Sequence, residues 1–106
     1  MSIKLISTKD KDTLEICIEG AFDFNLLNEF RESYQDNINE ITGKPHTNYI
    51  VNLRSTTSID SSALGMLLNM KRALGKNDRE IRISHCQPQV LKILTISRFD
   101  KKFFIE

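Results

Sequence analysis

Hydrophobic spacing along this chain changes period several times, and that rhythm restricts the folds open to it. Ile3, Leu5 and Ser7 alternate with Lys4, Ile6 and Thr8; beyond the polar turn Asp10-Lys11-Asp12, Leu14, Ile16 and Ile18 alternate with Glu15, Cys17 and Glu19 up to Gly20. Period two over such short runs predicts two strands joined as a hairpin, the first of them partly covered on both faces. From Asn25 the step changes. Leu27, Phe30, Tyr34, Ile38 and Ile41 recur every three or four residues, the stripe of an amphipathic helix with Asp23 or Asn25 as its N-cap and Gly43-Lys44-Pro45 as its stop. Tyr49-Ile50-Val51-Asn52-Leu53 reads as a strand in the middle of a sheet. A second helix follows Asp60-Ser61-Ser62, with Ala63, Leu67, Met70 and Leu74 inward, Leu64 and Ala73 on its flanks, and Gly65, Asn69, Arg72 and Lys76 outward. Glu80–Ser84 alternates again, Pro88 opens a third helix buried through Val90, Leu91 and Leu94, and Phe103-Phe104-Ile105 forms a last strand. The expected order is β-β-α-β-α-β-α-β. An antiparallel opening hairpin plus parallel strands linked by right-handed crossovers gives an α/β fold, a mixed sheet packed with helices.

A length of 106 residues suits one domain, residues 1–106, and leaves no room for a second core. The 15 basic and 14 acidic side chains are spread along the chain and nearly cancel, so no basic stripe points to nucleic acid. The opening MSIKLISTKDKD lacks the apolar core of a signal peptide, and no run approaches the roughly 18 apolar residues of a membrane span. Cys17 and Cys86, without a CxxC spacing, read as reduced thiols of a cytoplasmic protein.

Chemistry is concentrated in Thr57-Ser58-Ile59-Asp60-Ser61-Ser62-Ala63-Leu64-Gly65, which joins strand to helix at the carboxyl edge of the sheet, where open α/β sheets place their sites. The first helical N–H groups have no partner within the helix, and the macrodipole adds roughly half a positive charge. A phosphate on a serine there meets the donors that hold phosphate ligands elsewhere. The plain alternative is that Asp60 and the serines only cap the helix.

The run Ile59-Asp60-Ser61-Ser62-Ala63-Leu64-Gly65 resembles the Asp-Ser-Ser/Thr-Gly/Ala-Leu-Gly signature of the STAS-domain family, the anti-sigma factor antagonists. Tyr49–Leu53 resembles that family's central strand, Gly20-Ala21-Phe22-Asp23 its corner after the second strand, and Pro88 through Phe103 its third helix and last strand. The likeness spans nearly the whole chain in the right order. It implies a bacterial, cytoplasmic partner-switching protein without enzymatic activity or cofactor. The resemblance makes Ser61 the phosphorylated residue, with Asp60, Ser62 and Asp23 at the same surface. Met66 and Asn69, one and two turns along from Ser62, are the candidate flanking contacts, Met66 fitting the core at least as well. Its implied partners are an anti-sigma factor that is also a serine-protein kinase, bound by the unphosphorylated form, and a PP2C-type, metal-dependent serine phosphatase that restores that form. Two departures stand out: Ala63 occupies the commoner glycine position, and the sequence to Glu106 shows no room for the C-terminal helix of several members.

Rival readings are weaker. Ser61 or Ser62 with His85 and Asp60 would make a hydrolytic triad, yet there is no Gly-x-Ser-x-Gly elbow and His46 lies in a Gly-Lys-Pro-His loop. Cys17, Cys86, His46 and His85 lack a metal-ligand spacing, and no Gly-rich phosphate loop is present. The substantial rival is a STAS domain put to other use, as a scaffold in a stress-sensing complex, a lipid-transport subunit or a regulator of biofilm and motility.

Overall fold

The computed structural model describes residues 3–7, 12–35, 46–74 and 80–106. Its main sheet has five strands: β1 (Ile3–Ser7), β2 (Thr13–Ile18), β4 (Asn48–Asn52), β6 (Glu80–Ser84) and β7 (Phe104–Ile105), side by side in that order. β1 pairs antiparallel with β2 and every other pair is parallel, the mixed sheet the periodicity predicts. Three helices pack with it: α1 (Leu27–Gln35), α2 (Ser61–Leu74) and α3 (Pro88–Ile96).

Alternation divides the sheet into two faces. Leu14, Ile16 and Ile18 of β2, Tyr49 and Val51 of β4, and Ile81 and Ile83 of β6 are all buried. They share one core with Phe30 and Tyr34 of α1, Ala63, Met66, Leu67, Met70 and Leu74 of α2, and Val90 and Leu94 of α3. Phe22, Phe30 and Tyr34 pack tilted and edge-on in series inside it, with ring centroids 5.2 and 5.7 Å apart.

Two strands lie where the sequence reading has none. β3 (Gly20–Phe22) and β5 (Thr56–Ile59) form a separate parallel pair. Gly20, read as a stop, instead turns the chain with φ +80° and lets it run on as β3, its N–H donating to the carbonyl of Ser55 at 2.9 Å. Polar Thr56 is buried because its hydroxyl donates to the carbonyl of Ile18 at 2.8 Å, just where β2 ends.

Smaller differences have equally local causes. The first helix begins as a 3-10 turn, Phe24–Leu26, capped by Asp23. Its expected continuation through Ile38, Ile41 and Gly43–Pro45 lies outside the described residues, as do Lys76 and the stop signals of the second helix, Gly75 and Asn77. In β1 only Ile3 is buried; Leu5 and Ile6 are exposed because β1 is an edge strand. Leu91 is exposed rather than core, since Val90 and Leu94 already form the inward row of α3. Phe103 precedes the last strand and stacks on Phe99 at 5.5 Å.

Candidate functional site

Parallel pairing of β3 with β5 sets Phe22 opposite Ile59, so the two chains leave the pair together. The N–H of Asp60 donates to the carbonyl of Phe22 at 3.4 Å. Asp23 and Asp60, 37 residues apart in sequence, thereby come to one edge. Each caps the helical turn that begins after it. The Asp23 carboxylate accepts from the N–H of Asn25 at 3.0 Å, and that of Asp60 accepts from the N–H of Ala63 at 2.9 Å. The first α-helical bond, Leu64 N–H to the carbonyl of Asp60, measures 3.2 Å.

Asp60 is therefore the N-cap of α2, Ser61 its first residue and Ser62 its second. Ser61 is exposed and Ser62 half-buried. One turn beyond Ser61 stands Gly65, where a Cβ would meet nothing within 4 Å. Ala63 is fully buried under this edge, so the departure from glycine there adds to the core.

Of the flanking residues, Asn69 is exposed and accepts from the Arg72 guanidinium at 3.3 Å. Met66 is not at the surface. Three residues after Ala63 and four before Met70, it falls on the inward stripe of α2 and is 3 % exposed. Sequence reasoning passed over Phe24. Three residues before Leu27, it looks like part of the buried stripe, but the tighter 3-10 turn swings it outward and leaves it 65 % exposed beside Asp23.

His85, in the left-handed region at φ 58°, shares a hydrogen bond through Nδ1 with Ser84 Oγ at 3.0 Å. Both cysteines are free thiols, and burial pushes the pKa of each up, Glu15 adding to the effect at Cys17, so neither is an activated nucleophile. Among the described residues no helix is long and apolar enough to cross a membrane.

Comparison with known proteins agrees with this fold. The STAS-domain family model matches residues 4–106. A STAS-domain containing protein of Pseudomonas aeruginosa (strain UCBPP-PA14) is 39% identical over 105 residues, covering 99% of each chain. Among solved structures, the Bacillus anti-sigma factor antagonist SpoIIAA superposes in its unphosphorylated form with a TM-score of 0.73 at 19% identity, over 98% of this chain and 86% of that one. Its phosphorylated form gives 0.72 at 19% identity, over 98% and 90%. A sulfate transporter family protein of Wolinella succinogenes reaches 0.73 at 18% identity, over 92% of this chain and 74% of that one.

Proposed function

The chain belongs to the STAS-domain family, and from that membership we propose that it is an anti-sigma factor antagonist working by partner switching. With a free Ser61 hydroxyl it binds an anti-sigma factor that doubles as a serine-protein kinase; phosphorylation of Ser61 releases it, and a PP2C-type serine phosphatase resets it. The observation that carries this reading is an exposed serine at the first position of α2, beside a cap already filled by its neighbour.

That neighbour explains why a phosphate there would act as a release signal. Asp60 already occupies the Ala63 N–H, and Asp23 stands on the adjoining strand end. A phosphate adding about −1.5 to −2 charges meets the Asp60 carboxylate, which already holds one of the N–H donors at the helix start. Pressed into an interface it would be a poorly paired dianion. Reversing a complex from about 99:1 to 1:99 needs roughly 5.5 kcal/mol, and an unpaired buried charge costs several.

Two further features suit a docking edge. Exposed Phe24 offers an apolar anchor next to the acidic pair. Gly65 forgoes about 1 kcal/mol of helix propensity relative to alanine although its own protein would accommodate a Cβ, which fits close approach by a partner backbone.

A tagged bait recovered from its native cell, with intact-mass and phosphosite analysis, tests the reading. One phosphate on Ser61 is expected, with a kinase-fold protein retained by the bare form and by Ser61→Ala, and lost from Ser61→Glu. Phosphate on Ser62 instead would move the site by one residue. The likeness to a sulfate transporter family protein supports a second reading, a regulatory subunit of a transport or scaffold assembly; a bait never phosphorylated and bound only to such subunits would favour it.

A further inference from the structure

The face of the five-stranded sheet turned away from the core carries a pattern that no part of the Ser61 switch uses. Register places Ile6, Glu15, Ile50, Arg82 and Phe104 in one row across β1, β2, β4, β6 and β7. Ile6, Arg82 and Phe104 are exposed and Glu15 and Ile50 half-buried, although three of the five are apolar. Arg82 lies over the Phe104 ring at 5.4 Å, which holds that ring on the open face. One step along the strands a second row starts at Lys4 on β1 and ends at Glu106, whose carboxylate reaches the Arg82 guanidinium at 3.6 Å.

These two rows are antisymmetric about β4, the middle strand; the row before them, Thr13, Asn48 and Glu80, has an acid on β6, paired with Arg82 at 2.8 Å, and no base on β2. Reading outward, Ile50 is flanked by an acid on β2 and a base on β6, then by apolar residues on both edges. The second row has a base at the β1 edge and an acid beyond β7. Consider two such faces related by a two-fold axis lying between them along β4. The axis exchanges β2 with β6 and β1 with β7 and leaves each row in place. Glu15 then faces the second copy's arginine, Ile6 its phenylalanine, Ile50 its own counterpart, and Lys4 its terminal glutamate. An isologous contact demands this self-complementarity, and a row with like charges at β2 and β6 would repel. Aligned sheets cross at about 30°, which shifts positions one strand from the axis by only about 2.4 Å, within reach of Glu and Arg side chains.

We infer that this chain forms a two-fold dimer with a second copy of itself through the open face of its sheet. The face is about 19 Å wide at about 4.8 Å per strand. With strands of about five residues at about 3.3 Å each it covers about 300 Å², small beside the roughly 800 Å² per partner of standard interfaces, so the dimer dissociates on dilution. It leaves the edge carrying Ser61 free and does not depend on the role given to that serine.

Sedimentation velocity over a concentration series, on the wild type, Glu15→Arg, Arg82→Glu and the double exchange, tests it. The wild type goes from monomer to dimer with concentration, each single variant associates about tenfold more weakly, and the double exchange recovers wild-type association to within about threefold. A wild type that stays monomeric throughout overturns the inference and leaves the face to another chain. So does a double exchange no better than the single ones. Circular dichroism melts accompany each variant. If Arg82→Glu unfolds because Phe104 loses its cover, Lys4→Glu, Glu106→Lys and their combination give the same reading from exposed side chains at the rim.

Discussion

Asp60, Ser61 and Ser62 are adjacent and all able to cap a helix, yet the fold gives them different tasks. The sequence shows that something in this triplet caps a helix, because an apolar stripe of helical period starts just after it. It leaves open which residue does so, since Asp and Ser cap about equally well. The answer depends on the backbone: the carbonyl of Phe22 holds the Asp60 N–H in place, and the Asp60 carboxylate then turns onto Ala63. Asp60→Ala should lower unfolding stability by about 1 kcal/mol, whereas Ser62→Ala should change it by no more than a few tenths. Urea midpoints of the two variants check this, and equal losses would mean the cap is shared. Phe24 was the least legible residue at this edge. Its spacing to Leu27 is that of a core residue, and only the switch from α to 3-10 geometry exposes it.

The longer elements were readable because each carries several turns or several alternations of its own period. β3 and β5 were not, for a physical reason. Three and four residues are too few to show a period, and exposed Thr57 and Ser58 look like loop. What makes them strands is each other, brought together by the turn at Gly20 and the bond from Thr56 to the end of β2. Gly20 and Gly65 separate conformational need from spatial need. Gly20→Ala places a Cβ at φ +80° and should destabilise by about 1–2 kcal/mol, with no neighbour to blame. Gly65→Ala should stabilise by up to about 1 kcal/mol, because α2 gains propensity and the added methyl touches nothing. Thermal melts of both variants should shift in opposite directions; a fall for Gly65→Ala would contradict the open space around it. If partner affinity drops in the stabilised Gly65→Ala protein, the glycine serves the docking edge rather than the fold.

A buried histidine ties the stability of the whole molecule to pH. His46, just before β4, is 1 % exposed, edge-on to Tyr49 at 6.0 Å, with its Nδ1 lacking a hydrogen-bond partner. Burial pushes its pKa below the ordinary value of about 6.5, and Asp12 opposes that shift only in part. The unfolded chain therefore takes up the proton first as pH falls. This contribution to stability is complete above about 6.5 and is lost as the pH drops from there toward the folded-state value. Urea midpoints should decline as the pH falls below about 7, and His46→Gln should flatten that decline; an unchanged slope would assign it to other groups. The sequence alone determined the α/β class, the hairpin, the three helices, the parallel strands and the serine-bearing segment, because periodicity and turn residues act over a few neighbours. Tertiary structure alone decided that Asp23 and Asp60 share an edge and that acid and base stand on opposite sides of β4. Those facts come from register and from packing between segments tens of residues apart, and no local pattern of side chains encodes either one.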